Sequence, residues 1–323
     1  MQKIRQIIFK IYRYLYSIPV SLFEKHVSKK NFKIVYSEMK NLYLVNKDKY
    51  DYSEFIVHQW HKNMLEIEKY FLNNYSFSFL NHSVIKATMF MYTYKKWKNI
   101  QKALILRFLT KNKAKEILRE YNIGKPLLND IEYVTSGNNI HHLYHLIKFF
   151  KETGTKSSDI NTIVEVGGGY GNMAKIYKKM NIESTYIIID IPIFSYIQAV
   201  YLKTIYGKEA VHIVHNNDIY VKKGYINIIP LDKKILDLID KVISNVDLFI
   251  STWALSESNE VMQNYIKNTD YFNAKYLLMA YQKSNDSFAD AENVKNIAEN
   301  YETIFNKETE YLKDNYYLFC KRK

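Results

Sequence analysis

An acidic residue followed by four glycines lies near the middle of the chain, in a pattern that suits the binding of a ligand. The acid is Glu165, within the largely apolar run 160–166. The glycines are Gly167, Gly168, Gly169 and Gly171. Glycine allows positive φ and a close approach of the backbone to a ligand, and the free N–H groups of a following helix attract a carboxylate or phosphate. This stretch is therefore the first candidate for a binding site.

The hydrophobic pattern predicts that this stretch joins a buried parallel strand to a helix. Residues 162–166 resemble a strand that is covered on both faces, and apolar residues repeat at helical spacing over residues 173–180. The dinucleotide fingerprint Gly-x-Gly-x-x-Gly does not fit, because its third glycine would fall on Asn172. The pattern present is Glu-x-Gly-x-Gly-x-Gly, which indicates another cofactor class.

A second acid ends the next predicted strand. Residues 184–190 are largely apolar up to Asp190, and Ile191-Pro192 then predicts the start of a helix. A carboxylate at this place can accept hydrogen bonds from the two hydroxyls of a ribose. Capping of the following helix by Asp190 is an alternative that is compatible with this role.

The remaining strands complete a mostly parallel sheet that ends in a hairpin. Residues 210–214 and 225–229 are both candidates for the third strand; we prefer the second, because Asp232 then lies in a loop at the adenine edge. The fourth strand runs into Ser251 and Thr252. This fourth strand spans residues 246–251, and the other predicted strands are 276–281, 303–311 and 316–321.

The N-terminal part differs in composition and predicts a separate helical subdomain. Residues 1–130 contain 24 Lys and Arg against 10 Asp and Glu, although the net charge of the whole chain is only +13. A basic surface attracts nucleic acid, anionic lipid or an acidic polymer; compositional drift explains the excess equally well. Residues 1–23 predict an amphipathic helix, which either packs on the protein, as we prefer, or touches an anionic membrane. With a linker at 121–130, the predicted domains are 1–130 and 131–323.

Cysteine content and hydropathy favour a cytoplasmic protein. Cys320 is the single cysteine, so no disulfide framework exists and a reducing compartment is the simplest interpretation. No run of eighteen apolar residues indicates a membrane span. Residues 1–23 have charged residues scattered among the apolar ones, and no small-residue cleavage site follows them, which argues against a secretory signal.

A histidine-rich helix is predicted just before the glycine stretch. His141 and His145 are four residues apart and share one helical face, which is a spacing that can hold a metal. No third ligand lies nearby in sequence, so we predict no metal site. These polar residues can instead line the cofactor site.

Together these motifs resemble the class I S-adenosylmethionine-dependent methyltransferases, and among them the sugar O-methyltransferases of bacterial surface-polysaccharide gene sets. The residues that carry the resemblance are 141–146, 165–171, 186–192 and 247–257. The resemblance implies an α/β fold: a Rossmann-like sheet of seven strands with an antiparallel last hairpin. It also implies transfer of a methyl group from S-adenosylmethionine, with S-adenosylhomocysteine as product, to a sugar hydroxyl of a surface polysaccharide or its precursor.

The resemblance also assigns roles to individual residues. Glu257, His142 and His145 are the candidates, in falling order, for the base that removes the hydroxyl proton. Capping of the next helix by Ser256, Glu257 or Asn259 is the alternative for this region. The candidate cofactor-binding residues are Glu165, Gly167, Gly168, Gly169, Tyr170, Gly171, Asp190, Ile191, Asp232, Ser251 and Thr252.

Two other functions compete with this prediction. An RNA ribose methyltransferase would explain the basic N-terminal part. Methylation of a base amine is disfavoured, because residues 251–254 lack the Asn/Asp-Pro-Pro-Tyr/Phe motif, and we expect no nucleic acid partner. A non-catalytic scaffold that keeps the cofactor fold is the second alternative; the intact acids and glycines argue against it.

Overall fold

A single eight-stranded sheet forms the centre of the protein. The computed structural model describes residues 25–90, 95–215 and 218–323, so the helix predicted within residues 1–23 lies outside the described residues. The strands are β1 Leu128–Asp130, β2 Thr135–Ser136, β3 Thr162–Val166, β4 Thr185–Asp190, β5 Val211–Ile213, β6 Ile226–Pro230, β7 Leu248–Thr252, β8 Tyr276–Gln282, β9 Tyr301–Glu308 and β10 Asn315–Arg322. Strands β1 and β2 form a separate small antiparallel pair.

The order of strands in the large sheet is β5-β6-β4-β3-β7-β8-β10-β9. Strands β3 to β8 are all parallel to one another, and β10 inserts antiparallel between β8 and β9. From β3 the chain proceeds to one side through β4 and β6, and then returns to the other side of β3 as β7. The carboxyl ends of β3 and β7 therefore flank a topological switch point, where open α/β sheets bind their ligands. The predicted Rossmann-like sheet with an antiparallel last hairpin is confirmed.

The large sheet has one strand more than predicted. The two candidates for the third strand both form strands: β6 takes the third place, as preferred, and β5 adds an eighth strand at the edge of the sheet. Strand β5 has only three residues, and it is held by pairing with β6 and by burial of Val211 and Ile213. Such a short apolar segment has too little periodicity to be distinguished from a loop.

The helices are α1 Lys29–Asn46, α2 His58–Asn73, α3 Ser83–Met89, α4 Lys95–Phe108, α5 Lys111–Leu118, α6 Gly137–Thr153, α7 Asn172–Met180, α8 Pro192–Tyr206, α9 Lys233–Val242 and α10 Glu260–Asn268. Short 3-10 turns and a left-handed turn at Asp270–Asn273 connect some of these elements. Helix α8 packs over β4, β5 and β6, and α1 packs on α8 in turn. Helix α6 packs against α4 and α7 and extends to β9 and β10. None of the helices within the described ranges is long and apolar enough to cross a membrane.

The N-terminal helices and the sheet share one hydrophobic core, which extends from Phe32 to Cys320. The segment predicted as a linker is part of this core, because Asn122 and Ile123 are buried. Just before it, Glu120 forms a fully buried ion pair with Lys175 of α7, at 2.8 Å. The division of the chain at residue 130 stays a prediction, and the two parts it separates are packed together.

Candidate functional site

A cavity of about 440 Å³ opens at the carboxyl ends of β3, β4 and β7, at the switch point of the sheet. The glycine turn after β3 forms one wall, and α6 and the turn after β7 form others. The N-terminal part also contributes, through Phe55, Ile56, Trp60 and residues 87–90. The size is that of a pocket for a small molecule or cofactor.

The glycine turn brings bare backbone to the cavity. Gly167 has φ +80°, and a Cβ there would lie 2.0 Å from the Cβ of Ala254, so only glycine allows the turn after β7 to approach this closely. Gly169 has φ +58°, and a Cβ there would have Met89 as its nearest neighbour, at 3.7 Å. Both glycines line the cavity, together with Gly168 and Tyr170.

Glu165, the last residue but one of β3, has a buried carboxyl group and lines the cavity. Its Oε2 accepts a hydrogen bond from the hydroxyl of Tyr186, at 2.9 Å. Burial raises the pKa of Glu165 to about 8, although the hydrogen bond from Tyr186 opposes this shift. A positively charged ligand in the cavity would favour the ionised form.

Asp190 ends β4 and lines the same cavity. Its Oδ2 accepts hydrogen bonds from the N–H of Gly169 at 3.1 Å and from Nε2 of Gln198 at 2.7 Å, and its Oδ1 accepts from the N–H of Ile191 at 2.8 Å. Burial raises the pKa of Asp190 to about 7 in spite of these three donors. A carboxylate can accept about four hydrogen bonds, so Oδ1 has capacity for a hydroxyl group of a ligand.

Glu257 lies in the turn that follows β7 and also lines the cavity. Its N–H donates to the carbonyl oxygen of Trp253, at 2.9 Å. Burial raises the pKa of its side chain to about 7, and a hydrogen bond from Trp60 opposes this shift. The cap of α10 is Asn259, whose side chain accepts from the N–H of Met262. The side chain of Glu257 is therefore not needed as the helix cap.

One side of α6 presents three neutral histidines to the cavity: His141, His142 and His145. Burial lowers the pKa of His142 to about 3 and the pKa values of His141 and His145 well below 6.5. Nε2 of Gln101 donates to Nδ1 of His141 at 3.0 Å, and Nδ1 of His145 forms a hydrogen bond with the hydroxyl of Tyr317. No cluster of three metal-ligating side chains occurs within residues 25–90, 95–215 and 218–323.

Eleven of the fourteen predicted site residues line this cavity, and three do not. The carboxylate of Asp232 caps α9 by accepting from the N–H of Ile235, and it also accepts from the N–H of Asp51. The hydroxyl of Ser251 donates to the carbonyl oxygen of Val166 and accepts from the N–H of Leu255. A Cβ at Gly171 would meet Leu202 at 2.9 Å. These three residues stabilise the walls, and their contact with the cofactor stays a prediction.

Several lining residues were not predicted from the sequence, and seven of them belong to the N-terminal part. The ring of Phe90 stacks on that of Tyr170 with centroids 5.4 Å apart, and Asn138 donates to the hydroxyl of Tyr170 at 3.0 Å. Trp253 has φ +66°, an uncommon conformation for an aromatic residue that is often found at functional sites. No local sequence signal predicts these contacts, since each depends on how distant segments pack.

The charge of the cavity is distinctive. Among the described residues that line it, three are acidic and none is Lys or Arg. Within residues 25–90 and 95–130, the basic excess therefore does not reach the cavity wall. The site is suited to a cationic ligand and unfavourable for a phosphate.

Comparisons with known proteins gave only distant likenesses. No family model and no curated protein matches the chain. Solved structures that resemble it include the mitomycin 7-O-methyltransferase MmcR, which has 11% identity over 58% of this chain and 57% of its own, with a TM-score of 0.35. TrmK of M. capricolum in complex with S-adenosyl-homocysteine has 14% identity over 55% of this chain and 67% of its own, with a TM-score of 0.35. MtNAS in complex with MTA and tNA has 10% identity over 91% of this chain and 97% of its own, with a TM-score of 0.37. Likenesses this weak carry no argument about activity.

Proposed function

We propose that the protein transfers a methyl group from S-adenosylmethionine to a hydroxyl of a sugar in a bacterial surface polysaccharide or its precursor. One observation carries the proposal. The glycine turn, the acids at the ends of β3 and β4, and a further acid with a pKa of about 7 line a single cavity at the switch point. This arrangement supports binding of a nucleoside cofactor beside a group that can take a proton.

The residues of the cavity fit this cofactor. S-adenosylmethionine supplies an activated methyl group on a positively charged sulfur, and it also has an ammonium group and a ribose. The acidic lining without Lys or Arg suits the two positive charges. Oδ1 of Asp190 has capacity to accept from a ribose hydroxyl, and the bare backbone at Gly169 leaves room for a ligand.

Glu257 is the residue we propose as the general base. A base works best when its pKa lies near the working pH, and burial raises the pKa of Glu257 to about 7. With a pKa of about 3, His142 would be a weaker base. The carboxylate of Glu257 would accept the hydroxyl proton while the oxygen forms its bond to the methyl carbon. In the same step the bond between the methyl carbon and sulfur would break, and its electron pair would go to sulfur.

Aromatic rings support a sugar as the acceptor. Trp60, Phe90, Tyr170 and Trp253 line the cavity, and aromatic rings offer apolar faces beside polar edges. An RNA would bring phosphates to a wall with three acids and no Lys or Arg among its described residues. A non-catalytic scaffold would have no need of a buried acid near neutral pKa beside the cofactor. The sugar acceptor is therefore favoured over both alternatives.

Cofactor binding can be tested with a matched pair of glycine substitutions, measured by calorimetry with S-adenosylmethionine. Gly169→Val should abolish binding, because a branched side chain would enter the space that the ligand occupies. Gly154→Val is the control: Gly154 ends α6 at φ +73°, with nothing within 4 Å of a built Cβ, and lies outside the cavity wall. Both variants carry similar backbone strain. Equal affinity in the parent and Gly169→Val would reject the cofactor site.

The reaction itself is tested in cells. Mass spectrometry of the surface glycan, with and without the gene, should show the loss of one methyl group per modified sugar. A Gly169→Val allele should give the same loss, and a Gly154→Val allele should restore methylation. An unchanged glycan in the deletion strain would contradict the sugar assignment.

A further inference from the structure

Three buried polar atoms around the cavity lack a hydrogen-bond partner. Nε2 of His141, Nδ1 of His142 and Nε2 of Gln282 are buried without a partner within the described residues. All three residues line the cavity. A buried donor or acceptor that stays unpaired costs about 1–3 kcal/mol. Unpaired atoms that surround a cavity therefore point to a ligand that supplies their partners.

We infer that His141, His142 and Gln282 bind the hydroxyl groups of the acceptor, and that the acceptor group which enters this cavity is an uncharged polyol without phosphate or carboxylate. The inference rests on the proposed function, and it goes further by naming the residues that select the acceptor. His141 and Gln282 are the residues that recognise the acceptor, and His142 also binds it.

These side chains form a patch of the cavity wall, and Glu257 lines the same cavity. The ring of His141 lies parallel to that of Trp253, with centroids 6.1 Å apart. Nε1 of Trp253 donates to Oδ1 of Asn315 at 2.6 Å, and Asn315 is the cross-strand partner of Gln282. The carbonyl oxygen of Trp253 also accepts a hydrogen bond from the N–H of Glu257. A sugar bound by the patch would therefore be near the proposed base.

The hydrogen bond on the far side of His141 decides which of its nitrogens carries the proton. Nε2 of Gln101 donates to Nδ1 of His141, at 3.0 Å. Because an amide N–H can only donate, Nδ1 accepts in this pairing, and the single proton of the neutral imidazole is assigned to Nε2, the unpaired atom. His141 thus offers an N–H donor, which suits a hydroxyl oxygen.

The absence of positive charge argues against an anionic acceptor. Burial keeps the pKa values of the three histidines low, so they are neutral at neutral pH. None of the described lining residues is Lys or Arg, whereas Glu165, Asp190 and Glu257 are acidic. A phosphate or carboxylate of the acceptor would find no Lys or Arg among the described lining residues and would be repelled by ionised acids. The carboxylate of S-adenosylmethionine differs, because the ammonium group of the same molecule balances its charge. Hydroxyl groups carry no such cost.

The test measures acceptor binding on protein saturated with S-adenosylhomocysteine. Ligand-observed NMR is recorded with a panel of neutral methyl glycosides and with the matching sugar 1-phosphates. At least one neutral glycoside should bind, and its 1-phosphate should bind at least about tenfold more weakly. His141→Phe should weaken the binding of the glycoside about tenfold, because it removes one hydrogen bond. His141→Gln keeps a donor near the position of Nε2 and should recover part of the lost affinity. Gln282→Met should also weaken the binding.

A matched control separates acceptor recognition from a general effect of losing a histidine. His212 of β5 has an unpaired buried Nε2 but lies outside the cavity wall, so His212→Phe should bind the glycoside like the parent. Every variant should bind S-adenosylhomocysteine within about twofold of the parent. If the parent does not bind S-adenosylhomocysteine, the proposed function fails. If it does, but no neutral glycoside binds, the 1-phosphates bind more tightly, or His141→Phe and Gln282→Met match the parent, this inference is overturned.

Discussion

The three acids of the cavity differ in the polar groups around them. Asp190 has three donors, two of them backbone N–H groups that fix its carboxylate against the glycine turn and the start of α8. Glu165 is tied to β4 through Tyr186. Glu257 lies beyond β7, with Trp60 as its polar neighbour. The first two are therefore suited to holding a ligand, and Glu257 has the setting of a group that gains and loses a proton.

Replacing Glu257 by glutamine should remove the base and preserve the shape of the site. We expect turnover to fall at least about a hundredfold, with unchanged affinity for S-adenosylmethionine and normal folding. Steady-state kinetics and calorimetry on the purified variant provide the measurement. Because Asn259 already caps α10, Asn259→Ala serves as the structural control, with lower stability by about 1 kcal/mol and retained turnover. A glutamine variant with near-parental turnover would make His142 the first candidate.

The pKa of Glu257 also predicts how activity and stability vary with pH. The ionised form is the base, so kcat/KM of the parent should fall as the pH drops below about 7. Burial raises the folded-state pKa above the ordinary value of 4.5. The folded state therefore gains stability that is fully present below pH 4.5 and is lost as the pH rises through about 7. In thermal unfolding, the Tm of Glu257→Gln should accordingly be higher than that of the parent at pH 8 but not at pH 4. Equal Tm values at pH 8 would contradict a raised pKa of Glu257 in the folded state.

At the scale of elements, a buried polar cluster joins α7 to the segment that precedes α6. Nζ of Lys175 donates to Glu120, Asn139 and Tyr201 at 2.8, 2.9 and 3.1 Å. The other carboxylate oxygen of Glu120 accepts from the hydroxyl of Ser136, at 2.7 Å. Both charged side chains are almost completely buried. The cluster fixes α7, whose N-terminus adjoins the glycine turn, relative to α6 and its histidines.

Breaking this ion pair should be costly, because one charge would stay buried without its partner. Lys175→Met should lower the free energy of unfolding by about 3–5 kcal/mol. The double variant Lys175→Met with Glu120→Gln should be less destabilised than the single one, since it leaves no unpaired charge. Urea unfolding of the parent and variants measures both values. The exposed pair Lys113–Glu116 is the control, where Lys113→Met should cost less than about 1 kcal/mol. If the loss of unfolding free energy in the double variant equalled the sum of the losses in Lys175→Met and Glu120→Gln, the coupling of the two charges would be contradicted.

Local patterns predicted the elements that carry their own signals. Strand β3, the glycine turn and α7 were predicted within a residue or two, because a buried strand, glycines and helical periodicity all lie within twenty residues. Asp232 does not line the cavity, although a contact with the cofactor was predicted for it. The same residue type suits a helix cap and a ligand contact, and the partners seen here are the N–H groups of Ile235 and Asp51. The role of Trp60 could not be predicted, since it depends on the packing of α2 against the turn that contains Glu257.

For the whole molecule, the question is whether the N-terminal helices form an independent unit. Their contacts with the sheet part are apolar and close: the rings of Tyr43 and Tyr196 are 5.1 Å apart, and those of Trp60 and Phe194 are 5.7 Å apart. The hydroxyls of Tyr50 and Tyr196 form a hydrogen bond at 3.0 Å. These contacts cover α8, and the same helices supply part of the cavity wall. The helical part is therefore needed for both the core and the site.

The fragment 131–323 should consequently fail to form a native domain. It would expose the face of α8 that contains Phe194 and Tyr196, and Lys175 would lose its partner Glu120. Exposed apolar surface on this scale favours aggregation or a loosely packed state. We expect the fragment to lack a cooperative thermal transition and near-ultraviolet circular dichroism, and to show no binding of S-adenosylmethionine by calorimetry. The full chain, prepared in parallel, is the control. A fragment that unfolds cooperatively and binds the cofactor with parental affinity would instead make residues 131–323 an autonomous domain, and would restrict the role of the N-terminal helices to the acceptor end of the cavity.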